Sequence, residues 1–293
     1  MKATRVSEKG RTFLELGKAR ISLLATITMV AGYTLAEGGV TWTLLWVTIG
    51  VFLVASGASG FNQIQERDID AMMERTRGRP LPSHRMSLTG AVAASVLAVV
   101  GGALIVLAGA GITAAVLGLV AVGWYNGVYT PLKRVTAFAA VPGGVVGAIP
   151  PVIGWVAGGG AVFDPRIASV AFFFFMWQVP HFWLLLLFSG GVDYEKAGLP
   201  SLTRTFSTAQ ISRITFMWIL GTVTASVLIP LFGLVDEPWV VAGFVAAGAW
   251  LVWRSARILH AHDGAVAFRQ AFGNVNAYAV WVVCLLALGG ILR

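Results

Sequence analysis

Asn62, Glu66 and Asp70 stand four residues apart where a long apolar run ends, with Asp68 and Glu74 beside them. Residues four apart on a helix share one face, one turn above the next. The three form a short ladder of side-chain oxygens in a chain with only 13 Asp and Glu among 293 residues. Oxygen donors of this kind suit a hard cation such as Mg²⁺, which typically brings a phosphate group with it. Arg67, Arg75, Arg77 and Arg79 follow at once. Acids to hold a metal and arginines to hold phosphate oxygens are the set that a diphosphate requires. A merely solvated loop would explain the arginines, but not an amide and acids at fixed spacing.

Further along, Asp193-Tyr194-Glu195 followed by Gly198-Leu199-Pro200 echoes the first acidic stretch and its Arg79-Pro80-Leu81-Pro82. Two such loops facing each other would enclose a polar pocket. Lys133 and Arg134 read either as orienting charges in a loop or as diphosphate contacts. His181 sits within an apolar run, where an imidazole is costly without a partner. It is either a hydrogen-bonded core histidine or a ligand, and both readings stay open at this point. His84, His260 and His262 fall in loops. The aromatic run Phe172–Phe175 with Trp177 fits the lining of an apolar tunnel or lipid-facing packing. The single cysteine, Cys284, reads as a small core residue and excludes a disulfide within the chain. No Ser-His-Asp or Cys-His arrangement is visible, so no side-chain nucleophile is expected.

The elements that must position these residues are membrane helices. Apolar residues make up 57% of the chain and charged residues 12%, with a mean hydropathy of +0.79; soluble domains carry roughly 25% charge. Nine continuous apolar segments are read at about 17–36, 42–62, 87–109, 111–128, 137–158, 166–188, 211–233, 238–254 and 272–292. They lack the alternation of barrel strands. The expected fold is all-α: one polytopic membrane domain over 1–293, with about nine spans and the N-terminus in the cytoplasm.

That orientation puts 19 of the 21 Lys and Arg on the inside, leaving only Arg166 and Arg293 outside. The net charge of +8 is thus an orientation signal, and nucleic-acid binding is a poor reading of it. The basic stretch Met1–Arg20 reads as a retained signal anchor. The outer loops are short, so the polar chemistry belongs to the cytoplasmic face of a plasma or inner membrane. Gly-rich patches predict close helix packing, and Pro150-Pro151 and Pro180 predict kinked or broken helices.

Asn-Gln-x-x-Glu-Arg-Asp-x-Asp-x-x-Met-x-Arg-Thr-x-x-Arg-Pro-Leu, from Asn62 to Leu81, resembles the first motif of the protohaem IX farnesyltransferase (haem O synthase) family. That family lies within the UbiA superfamily of intramembrane prenyltransferases. The likeness continues in Tyr129-Thr130-Pro131-Leu132-Lys133-Arg134-x-Thr136 and in Gly147-Ala148-Ile149-Pro150-Pro151-x-x-Gly154-Trp155. It goes on in Trp177-Gln178-x-Pro180-His181-Phe182 and Asp193-Tyr194-x-x-Ala197-Gly198-Leu199-Pro200, always in the expected order.

The resemblance implies that farnesyl diphosphate binds through Mg²⁺ to Asn62, Glu66 and Asp70, with Asp193 opposite. It implies diphosphate contacts from Arg67, Arg75, Arg79, Lys133 and Arg134, and a Tyr129 near the reacting carbon. Where the superfamily has a further acid after Asp193, this chain has Ala197, with Glu195 as the substitute at hand. His181 matches a position linked with haem binding.

The implied reaction joins a haem b vinyl group to farnesyl C1, and a haem A synthase-type protein is the implied partner. Two rivals stay in view: an aromatic, quinone-precursor acceptor, and a membrane transporter or haem carrier. A transporter would place its ionisable groups near mid-membrane, whereas here they cluster at one face.

Overall fold

The computed structural model describes residues 8–37, 39–189, 191–260 and 264–291. His262, Arg293 and the first residues of the expected anchor lie outside that range. Among the described residues every regular element is helical. In chain order the helices that matter are α1 (Glu8–Leu16), α2 (Ala19–Glu37), α3 (Trp42–Met72), α4 (Leu88–Gly123), α5 (Ala140–Ala157), α6 (Pro165–Ser189), α7 (Gly191–Lys196), α8 (Thr208–Leu231), α9 (Pro238–Ser255) and α10 (Gly264–Ile291).

Eight helical runs among the described residues are long and apolar enough to cross a bilayer. One of them, Leu88–Leu132, has 45 residues, about 67 Å at 1.5 Å per residue. This run covers two expected segments, 87–109 and 111–128, and Gly111 divides it. Its φ of 82° and ψ of 179° break the helix in a conformation that glycine adopts without strain. The two arms fold back on each other. A Cβ on Gly102 would lie 2.9 Å from Val54 Cγ2, and one on Gly118 would lie 3.9 Å from Val54 Cγ1. Residues sixteen apart in a straight helix would be about 24 Å apart along its axis, so one valine could not meet both.

Caps explain where several runs begin. Ser87 accepts from Gly90 N, and Ser207 with Gln210 forms a reciprocal capping box at the start of α8. The helices run on through Pro150-Pro151 and Pro180 without a break. Each proline removes only one N–H, and packing holds the rest. α5 lies against α2 so closely that the backbones touch.

A Cβ on Gly154 would come within 1.8 Å of Met29 O, and one on Gly32 within 2.0 Å of Pro151 O. Gly154→Ala is therefore expected to force the two helices apart, at roughly the 1–3 kcal/mol typical of overpacking. A thermal melt of the detergent-purified variant, several degrees below wild type, is the check.

Two cores result. One joins α2, α3, α4 and α5 through Met29, Val47, Val51, Val106 and Ile153. The other joins α6, α8, α9 and α10 through Phe173, Phe174, Ile219, Phe244 and Val275. Phe173 and Phe174 of the aromatic run thus serve this core, while Phe172 faces outward. Cys284 is exposed rather than buried, since it lies on the outer face of α10.

Candidate active site at the ends of α3 and α4

The 31 residues of α3 span about 46 Å, against a hydrocarbon core of about 30 Å. The apolar portion fills the core, and the excess length carries the ladder beyond it. Asn62 and Asp70 are fully buried, and the Glu66 side chain is 13% exposed.

Each rung meets a cation. Asn62 Oδ1 accepts from Lys18 Nζ at 2.6 Å, and its Nδ2 donates to Thr130 Oγ1 at 3.0 Å. Glu66 pairs with Lys133. Asp70 Oδ2 accepts from Arg79 Nη1 at 2.6 Å. Asp70 Oδ1 is buried with no hydrogen-bond partner.

The second wall comes from the end of α4, which widens into a π-helical turn over Trp124–Tyr129 before Thr130–Leu132. Thr130 N–H bonds to Tyr125 O, five residues back. Such turns recur at functional sites. The rings of Tyr125 and Tyr129 stack at 5.9 Å, and Lys133 Nζ sits 5.0 Å from the centroid of Tyr129.

Lys18 did not stand out in the sequence, where it read as one more orienting charge. Its placement depends on contacts remote in the chain. Gln63 Nε2 donates to Glu15 O and Leu16 O, both at 2.8 Å, fastening two carbonyls at the end of α1. Lys18 then turns the backbone with a φ of 46° and delivers its amine to Asn62 and, at 3.3 Å, to the Tyr125 hydroxyl. Consecutive residues of α3 thus grip both sides of one corner. The only sequence clue was the polar pair Asn62-Gln63 itself. Burial first, then the Arg79 and Lys133 charges, pushes the Lys18 amine down to about 7.

Arg67 and Arg134 do not join the cluster. Arg67 lies one residue past Glu66, on another face of α3, and reaches Asp68 at the surface. Arg134 donates to Gln65 O, tying α4 to α3 from outside. The Arg75 side chain is exposed, but its backbone N–H donates to Asp193 Oδ2 at 3.4 Å.

The two acidic loops do meet. Met73 packs with Tyr194, Ala197 and Leu199, with Ile69 and Phe182 alongside. Burial, with Glu66 nearby, pushes the Tyr194 phenol up to about 12. Glu195 is not aimed at the ladder: its Oε1 accepts from Thr203 Oγ1 at 2.7 Å. The second loop therefore offers Asp193 alone.

His181 stands on α6 beside α10. Its Nδ1 is 2.7 Å from Asn276 Oδ1, and its ring lies between Trp177 and Phe272 at 4.8 and 5.0 Å. His84 and His260 are exposed.

With Lys18 protonated, three cations face two carboxylates in an enclosed cluster. That surplus suits an anion, whose arrival would in turn favour charged Lys18. Two carboxylates and an amide are a sparse metal set, and among the described residues no three His, Cys, Asp or Glu side chains converge. Sparse is what Mg²⁺ commonly takes, completing its shell with substrate phosphates and water. The orphaned Asp70 Oδ1 fits that demand.

The UbiA prenyltransferase family pattern matches residues 25–290. The chain is 46% identical to a protoheme IX farnesyltransferase from Geobacter sulfurreducens over 237 residues, covering 79% of this chain and 86% of the relative. A second, from Oleidesulfovibrio alaskensis, is 35% identical over 88% of this chain and 93% of its own length. Among solved structures, a digeranylgeranylglyceryl phosphate synthase aligns with a TM-score of 0.80 at 18% identity, over 98% of this chain and 100% of that one. A UbiA homologue from Archaeoglobus fulgidus bound to GPP and Mg²⁺ aligns at 0.68 with 14% identity, over 96% and 100%. At such identities the structures speak for the fold, while the sequence relatives and the family pattern speak for descent. The chain belongs to the UbiA prenyltransferase family and is a multi-pass membrane prenyltransferase.

Proposed function

We propose that this enzyme transfers a farnesyl group from farnesyl diphosphate to a vinyl group of haem b, releasing diphosphate. The observation that carries the donor half is the buried cluster in which Lys18, Arg79 and Lys133 converge on Asn62, Glu66 and Asp70. The acceptor half is supported by the relatives named protoheme IX farnesyltransferase.

Asn62, Glu66 and Asp70, with Asp193 opposite, would hold Mg²⁺, which when bound draws negative charge from the diphosphate oxygens. The chain's own residues do the remainder. Lys133, Arg79 and Lys18 exchange their carboxylate and amide partners for diphosphate oxygens, so the leaving charge is met by groups already in place. The Tyr129 ring, under Lys133, presents its π-face where positive charge grows on farnesyl C1.

As the C1–O bond breaks, the diphosphate leaves with the electron pair, and the vinyl π-electrons form the new C–C bond to C1. The cation left beside the macrocycle is captured by water, which loses a proton and leaves a hydroxyl. The net change is addition of a farnesyl and a hydroxyl group across the vinyl bond. No side-chain nucleophile takes part. The Lys and Arg bias supports a site on the cytoplasmic face of the plasma or inner membrane.

The test is incubation of purified protein with haem b, farnesyl diphosphate and Mg²⁺, followed by mass analysis of the haems. A product heavier by one farnesyl and one hydroxyl group, lost on chelation of Mg²⁺, is the expected result. Unchanged haem, with farnesyl transferred instead to 4-hydroxybenzoate, would give the reaction to the aromatic-acceptor reading.

A further inference from the structure

Asn276 settles a question about His181 that neither residue settles alone. An imidazole with one hydrogen-bond partner can be donor or acceptor at Nδ1, and a carboxamide can present either end. Here the carboxamide has a second contact. Asn276 Nδ2 donates to Phe272 O, one turn back on α10, at 2.9 Å. Reversing the amide would set its oxygen against that carbonyl oxygen, acceptor against acceptor. Oδ1 is therefore the atom that faces His181 Nδ1 at 2.7 Å. An oxygen without a proton can only accept, so Nδ1 carries the hydrogen, and in the neutral ring Nε2 carries the lone pair.

The ring is also fixed in angle. Trp177 and Phe272 flank it at 4.8 and 5.0 Å. Trp177 is itself tied to α10, its Nε1 donating to Val275 O at 3.2 Å. A neutral imidazole held as the Nδ1–H form by an oxygen behind it is the arrangement by which proteins prepare Nε2 as a metal ligand.

We infer that Asn276 is a positioning residue that holds His181 in the Nδ1–H tautomer and so presents the Nε2 lone pair to the iron of the acceptor macrocycle. The inference rests on the reading of haem as acceptor. It adds a residue on α10, far in sequence from the motifs that suggested the reaction.

Two measurements test it on the purified full chain. The first is nitrogen NMR of ¹⁵N-histidine-labelled protein without haem, with the His181 signals identified by their loss in His181→Ala. Wild type is expected to show protonated Nδ1 and bare Nε2, and Asn276→Leu to lose that state. A wild-type His181 protonated at Nε2 overturns the inference without reference to haem.

The second is titration with haem b, following the Soret band. Asn276→Leu should bind haem roughly 10–100-fold more weakly, the usual cost of losing a group behind a ligating histidine. Farnesyl diphosphate affinity should be unchanged in that variant. If the tautomer follows Asn276 but haem affinity does not, the role toward iron is overturned. If wild type binds no haem at all, the acceptor reading fails with it, while the NMR result still decides what Asn276 does to His181.

Discussion

Asp70→Asn is expected to lower turnover at least ~100-fold, in line with the several kcal/mol typical of metal assistance. The substitution keeps the size of the side chain and an oxygen able to accept from Arg79. What it removes is charge, at a residue whose Oδ1 is buried and without a partner. An orphaned carboxylate oxygen costs stability unless something else makes use of it, and a divalent cation is what it suits. The Mg²⁺ concentration for half-maximal rate should rise along with the loss of turnover. Thermal melting of the variant separates lost chemistry from lost fold. A folded Asp70→Asn protein with near-normal turnover would sink the metal assignment.

The second large effect belongs to Lys133. If its ammonium meets the leaving diphosphate, Lys133→Ala should lose roughly 10–1,000-fold in rate, the scale of one transition-state charge contact. Lys133→Arg should restore part of it, because charge returns but a planar fork replaces a compact ammonium above Tyr129. The ion pair complicates the alanine variant, since it leaves Glu66 largely enclosed with its nearest cation gone. The double variant Glu66→Gln with Lys133→Ala removes that strain. If stability returns in the double variant, the unpaired Glu66 was the cause of its loss, and the rate is then judged on the single variants alone. A partial recovery in Lys133→Arg over Lys133→Ala shows that the charge acts on the substrate, and wild-type rates in both would reduce it to an orienting charge.

Much of this site was legible in the chain because its main feature is local. Asn62, Glu66 and Asp70 belong to one helix, and helical geometry alone puts them on one face. The converging loops around Asp193 were also readable, since each follows an apolar run that ends at the same membrane face. What could not be read depends on contacts between distant segments. Lys18 looks like any basic residue before a span until Gln63 fastens the end of α1. Arg67 looks like a diphosphate ligand until the helix turns it to the other side. His181 was ambiguous because its partner, Asn276, lies 95 residues away. Gly111 was one glycine among 35, and only its φ distinguishes it.

The π-helical turn at Trp124–Tyr129 has a consequence for register. A hydrogen bond that spans five residues rather than four fits one more residue into the turn, and each residue of a helix accounts for about 100° of rotation. Everything after the turn is therefore rotated relative to a plain continuation of α4, and Lys133 meets Glu66 in that rotated setting. Written as an alignment, the turn behaves as a single-residue insertion whose effect carries through Thr130–Leu132, where the helix ends, to Lys133. Length, as much as residue type, is thus what this stretch must keep. Trimming one residue from it would leave every motif in the sequence intact and point the lysine at the wrong wall.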